Sequence, residues 1–223
     1  MRLGVTIANT DETDFFEICD QKTVVAGVPV AQLKFGNTDT FVALSGIGKE
    51  NAAATAQVLI SLFHVDALLN IGLAGGADKQ ALGSVVVITK AMYHDMYPMS
   101  ALAEGYPNKT EFIPNARLIE IAKAVLNGLS IRSTEGILAT GDQFIEDPAV
   151  KDNIVEKTHC SCIEMEGAAV GHIAEKNDVP FCLVKIVSDD AGDGAHDAFR
   201  NTVEDGKHIS LSAAFIKKFA EKL

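Results

Sequence analysis

Apolar positions in this chain fall into two kinds of run. Short stretches of about four to eight residues, apolar almost throughout, alternate with longer stretches in which small and apolar residues recur at helical spacing. Leu3–Ala8, Thr40–Ser45, Ala67–Ile71, Ser84–Thr89, Arg132–Ala139 and Phe181–Val187 read as strands, several of them apolar enough to be buried on both faces. Thr23–Val25 and Val28–Phe35 flank Gly27 and predict a hairpin, and Ser161–Glu164 reads as extended. Helices are expected over Glu50–Phe63, Leu118–Leu126, Ala149–Lys157, Ala168–Glu175 and from about Thr202 to Lys222. A shorter helix, Asp14–Cys19, follows the capping chemistry of Asn9-Thr-Asp-Glu12. Gly46-Ile-Gly48 and Gly72-Leu-Ala-Gly-Gly76 read as tight turns after strands, and residues 94–114 as one long irregular loop. Strand and helix alternate, so the expected class is α/β, with a mixed, mostly parallel sheet covered by helices.

At 223 residues, 48% of them hydrophobic, the chain is read as one domain spanning 1–223 with a full core. A formal net charge of −11 argues against nucleic acid or an anionic membrane as a partner. No run approaches the ~18 apolar residues of a membrane helix, and the first residues do not resemble a signal peptide. Four cysteines (Cys19, Cys160, Cys162, Cys182) show no Cys-x-x-Cys spacing, which fits a reducing compartment. A cytoplasmic location is expected.

The candidate chemistry is carboxylate chemistry. Glu164 and Glu166 open a helix of small residues, and about one helix later a β-branched strand ends in Ser188-Asp189. This order places acidic groups at neighbouring sheet ends, where open α/β folds bind ligands. Glu12 follows the first strand in the same way. The glycine turns match neither the nucleotide-triphosphate loop nor a complete dinucleotide fingerprint. Phe144 and Phe199 flank polar segments, where a flat ring could stack on a heterocycle. Histidines and cysteines are scattered, so no metal is expected, and no serine is framed as a nucleophile.

Taken in order, Ser45-Gly-Ile-Gly-Lys49, Asn70-Ile-Gly-Leu-Ala-Gly-Gly76, Tyr93-His-Asp95, Thr140-Gly-Asp-Gln-Phe-Ile145, Glu164-Met-Glu166 and Ser188-Asp189 resemble the methylthioadenosine/S-adenosylhomocysteine nucleosidases of the nucleoside phosphorylase superfamily. The resemblance covers nearly the whole chain. It implies a homodimer with a three-layer α/β/α sandwich around a mixed sheet, acting without a cofactor on a purine nucleoside. It further implies that Asp189 protonates or hydrogen-bonds the purine N7 while Glu12 activates the attacking water. Glu166 and the backbone of Met165 would hold the ribose hydroxyls. Phe144 would stack on the purine, the backbone of Ile145 would read its edge, and Ile47, Met99 and Phe199 would line the pocket for the 5′ substituent. Glu164, Leu73, Lys185 and Ser188 complete the expected binding set.

Three departures from the family pattern stand out. Leu73 occupies a position where the family commonly has serine, and Lys185 one where it commonly has arginine. Met96-Tyr-Pro-Met-Ser-Ala follows Tyr93-His-Asp95 where the family continues differently, which implies a reshaped 5′ pocket. Phosphorolysis is the second reading, but it needs cations for phosphate. The four arginines (Arg2, Arg117, Arg132, Arg200) all lie away from Ala8–Thr13 and the glycine turns. A futalosine-type nucleosidase and a non-catalytic nucleoside-binding protein are the remaining alternatives.

Overall fold

The computed structural model describes residues 1–77 and 80–223. Strand β1 (Arg2–Ile7) leads into a 3₁₀ turn, Thr10–Glu12, capped by the Asn9 side chain, and then the short helix α1 (Phe15–Ile18). The hairpin forms as expected from β2 (Lys22–Val25) and β3 (Val28–Phe35), and β3 pairs on to β4 (Thr38–Leu44). Next come α2 (Lys49–Phe63), β5 (Ala67–Gly76) and β6 (Val85–Tyr93). The segment read as one irregular loop contains a short helix, α3 (Ser100–Glu104), and a two-residue strand, β7 (Glu111–Phe112), which pairs with β6. The order continues with α4 (Ala116–Gly128), β8 (Ser133–Thr140), α5 (Pro148–Thr158), β9 (Cys162–Glu164), α6 (Gly167–Lys176) and β10 (Phe181–Asp189).

The C-terminal part differs from the expectation of one helix. Two helices, α7 (Ala195–Asp205) and α8 (Lys207–Lys222), meet at Gly206. Gly206 sits at φ +65°, in the left-handed region where a side chain is strained and where helices commonly end. Helical periodicity is similar on both sides of that residue, so the break shows only in the glycine itself.

Among the described residues, ten strands form one mixed sheet, and β1 lies parallel between β4 and β5. The sheet is not the open central layer that a three-layer sandwich implies. β10 pairs with both β5 and β6, β6 continues to β8, β8 to β9, and β9 returns to β5, which closes a ring. Two features allow the closure. Strand β5 does not turn at Gly72 but runs on to Gly76, so its first half serves β1 and its last residues serve β9. Irregularities in β6 (Ile88/Lys90) and β10 (Val187/Asp189) add the local bend that a closed sheet needs.

Alternation along β5 explains why its sequence is apolar throughout. Leu68 joins a core under α2 and α6, with Ala56, Leu59 and Ala169. Leu69 joins a second core under α4 and α8, with Leu118, Phe215 and Phe219. A strand covered on both faces has no solvent side on which to place polar residues. Among the described residues, no helix is long and apolar enough to cross a membrane.

Candidate active site

Several strand ends open into one cavity of about 720 Å³. Ala8, Asn9, Asp11 and Glu12 enter it from the end of β1, Leu73 to Gly75 from β5, Ile163 to Glu166 from β9 and Ser188-Asp189 from β10. Gln143 to Ile145, beyond β8, and Phe199 with Val203, on α7, form the remaining walls with Ile47. The three carboxylates Glu12, Glu166 and Asp189 therefore line a single space, and all three residues are buried.

Glu12 is held through backbone amides. The Ala8 N–H donates to its Oε2 at 2.5 Å and the Leu73 N–H to its Oε1 at 3.1 Å. Gly72 makes room for this arrangement: a Cβ there would stand 2.2 Å from Glu12 Oε1. Burial raises the Glu12 pKa, against the lowering effect of Lys185 and the backbone donors. Such a carboxyl is prepared to take a proton from a bound water.

Glu166 stands at the N-cap of α6 and accepts the Gly48 N–H at 2.7 Å. Burial, and then the neighbouring Glu164, push its pKa up to about 8. Glu164 plays a different part. Its Oε2 accepts from Lys185 Nζ at 2.8 Å, the Glu166 N–H at 3.0 Å and the Gly167 N–H at 2.8 Å. Its Oε1 accepts from the Thr140 hydroxyl at 2.5 Å, and that hydroxyl in turn accepts the Ala168 N–H. Glu164 borders the cavity but spends its oxygens on capping α6 and pairing Lys185. Lys185 is only 1% exposed. Its own burial disfavours the charge, yet Glu164, Glu166 and Glu12 outweigh that, and its pKa is raised.

Asp189 is 2% exposed, and burial raises its pKa, opposed by hydrogen bonds from Ser188 and the Ala191 backbone. Its Oδ2 lies 2.7 Å from Ser188 Oγ, which also lies 3.2 Å from the Ala74 carbonyl. One hydroxyl proton cannot serve both oxygens. Donated to Asp189 Oδ2, that proton favours the ionised carboxylate against the effect of burial.

At the mouth, Phe144 is 43% exposed and meets Phe199 edge-on at 5.7 Å and His196 at 6.1 Å. Ile145 is buried against Ile163 and Ala191. Of the residues expected from sequence, Met99 precedes α3 and Lys185 lies beneath the site, and neither lines the cavity. Asn9, Asp11, Gln143 and Val203 line it without having been anticipated, and Thr140 supports it from below. Asn9 and Asp11 flank Glu12, and Gln143 and Thr140 lie inside the Thr140–Ile145 motif, so proximity to those segments was the available signal. Among the described residues, no Lys, Arg or His side chain lines the cavity.

A sequence profile of the Phosphorylase superfamily matches residues 4–223. The chain belongs to that superfamily. Within it, the chain is 34% identical over 200 residues to the 5′-methylthioadenosine/S-adenosylhomocysteine nucleosidase of Shewanella pealeana, covering 85% of each chain. The S-adenosylhomocysteine nucleosidase of Streptococcus pyogenes, solved with 5-methylthiotubericidin, superposes with a TM-score of 0.88 at 28% identity, covering 100% of this chain and 97% of that one. The futalosine hydrolase of Helicobacter pylori, another superfamily relative, gives 0.89 at 27% identity, with 100% and 98% covered.

Proposed function

We propose that this chain is an N-glycosyl hydrolase that cleaves 5′-thio-substituted adenosines, methylthioadenosine and S-adenosylhomocysteine, to adenine and the thioribose. The observation that carries the reading is the convergence of Glu12, Glu166 and Asp189 on one nucleoside-sized cavity. Breaking the N-ribosidic bond builds positive charge on the sugar and negative charge on the base. Asp189, whose carboxyl pKa burial raises, gives a proton or hydrogen bond to the purine N7 as the bond breaks. Glu12 takes the proton of the attacking water, whose hydroxyl becomes the C1 oxygen of the sugar. Glu166 and the Met165 backbone hold the ribose hydroxyls. Phe144 packs on the base, the Ile145 backbone reads its edge, and Ile47 and Phe199 flank the 5′ group. This division between an acid at the leaving group and a carboxylate at the water parallels inverting glycosidases.

Water rather than phosphate is the nucleophile in this reading, because the cavity offers phosphate no cationic side chain among the described residues and Glu12 would repel it. The names of relatives at 34% identity point the same way. Futalosine hydrolysis is a second reading, favoured by the Helicobacter pylori relative. We also read the protein as a cytoplasmic homodimer. Helices on both faces of the sheet support a three-layer arrangement modified by the closed ring.

The test is a substrate panel with chromatographic detection of free base, spanning methylthioadenosine, S-adenosylhomocysteine, 5′-deoxyadenosine, inosine and aminodeoxyfutalosine. Adenine from the first two, at higher kcat/KM than from the others, is the expected outcome. Preference for aminodeoxyfutalosine would move the assignment to the second reading, and tight binding without base release would overturn both.

A further inference from the structure

Three motif residues have no role in the site described above: Lys49, Asp95 and Asp142. They belong to three segments far apart in sequence and meet at one point. Lys49 Nζ lies 2.7 and 2.8 Å from the two carboxylate oxygens of Asp95 and 3.0 Å from Asp142 Oδ2. The backbone joins in, since the Asp142 N–H donates to Asp95 Oδ2 at 2.8 Å and the Lys49 N–H to Asp142 Oδ1 at 3.3 Å. The ammonium also sits 5.5 Å from the Tyr93 ring centroid, at the end of β6. Burial works against the Lys49 charge, but its two carboxylates more than compensate and raise its pKa. The Asp95 pKa is lowered: burial opposes its ionised form, and Lys49 with the Asp142 backbone outweighs that.

Isolated surface ion pairs stabilise little. What distinguishes this network is the residues beside its members. Immediately before Lys49 stands Gly48, whose N–H donates to Glu166 Oε1 at 2.7 Å, and before that Ile47, which lines the cavity. Immediately after Asp142 stand Gln143 and Phe144, which line the wall facing α7. The loop after β4 and the loop after β8 are thus tied together within two residues of their contacts with the cavity.

We propose that Lys49 is a positioning residue. Its ion pairs with Asp95 and Asp142 fix the two loops relative to each other and keep the Gly48 N–H on Glu166. Displacements of about 1 Å in a reacting arrangement can cost on the order of 100-fold in rate, so a tether outside the chemistry can matter to it. The inference rests on the nucleosidase reading only for the choice of ligand.

The test is a double-mutant cycle read by calorimetric binding of 5-methylthiotubericidin, the compound present in the Streptococcus pyogenes structure. Lys49→Met is expected to weaken binding about tenfold in the otherwise native chain, and less than about twofold when Glu166 is already Ala, because the oxygen that accepts the Gly48 N–H is gone. Lys49→Arg, which keeps the cation, should recover most of the affinity. Asp142→Asn, which keeps an oxygen for the Lys49 N–H, provides the same cycle if Lys49→Met folds poorly. Equal losses in both backgrounds, or no loss in either, would overturn the proposal. A native chain that neither binds the nucleoside nor releases base defeats the functional reading instead, so the two failures are distinct.

Discussion

At the scale of single residues, Glu166 shows how the site trades stability for function. Its carboxyl rises from an ordinary value of 4.5 to about 8 in the folded chain, mainly through burial. A raised carboxyl binds its proton more tightly when folded. Its contribution favours the folded state below the unfolded pKa and is lost as pH climbs towards 8. Glu166→Gln keeps an oxygen for the Gly48 N–H and removes the buried charge. At pH 8 the variant is expected to melt a few degrees higher than the native chain while losing about 100-fold or more in kcat/KM. A lower melting temperature at that pH would contradict the stated cause. Lys185 predicts the reverse. Lys185→Met leaves Glu164 buried without its cation, and denaturant unfolding should show a loss of about 3–5 kcal/mol; a loss under about 1 kcal/mol would contradict a stabilising role for the pair. The pairing of these two residues marks a limit of sequence reading. Glu164 and Glu166 look alike two positions apart, and only the strands that bring Thr140 and Lys185 beside Glu164 separate the helix cap from the carboxylate facing the cavity. Met99 shows the same limit, because its place beside α3 depends on how the long segment folds back.

At the scale of elements, β5 carries the decisive geometry. Its glycines were legible as positions of close approach, but not as strand. A glycine-rich pentapeptide looks like a turn in isolation, and here neighbouring strands on either side keep it extended. The consequence can be tested at Gly72. A methyl group there would overlap Glu12 Oε1, so Gly72→Ala should displace the carboxylate and reduce kcat by about 100-fold or more, with KM changed far less. A variant with native kcat would mean that Glu12 does not need its observed position. Apolar runs located the strands buried on two faces, where burial imposes uninterrupted hydrophobicity, and Gly27 marked the hairpin of the exposed β2. The division of α7 from α8 and the ordered pieces within 94–114 were missed because each depends on one backbone angle or on a two-residue pairing.

At the scale of the whole molecule, ring closure explains why two carboxylates 177 positions apart, Glu12 and Asp189, meet in one cavity. β10 lies beside β5 and β6, and β9 returns to β5, so their ends share one mouth. The acidic balance of the chain fits that mouth, where carboxylates outnumber Lys185, the buried cation beneath them. Such a site suits a neutral nucleoside and a water molecule and disfavours an anionic co-substrate. The most direct measurement is mass-spectrometric identification of the sugar product from methylthioadenosine, with and without excess inorganic phosphate. The account predicts free methylthioribose and adenine at the same rate in both. Formation of a sugar 1-phosphate, or strict dependence of base release on phosphate, would contradict it.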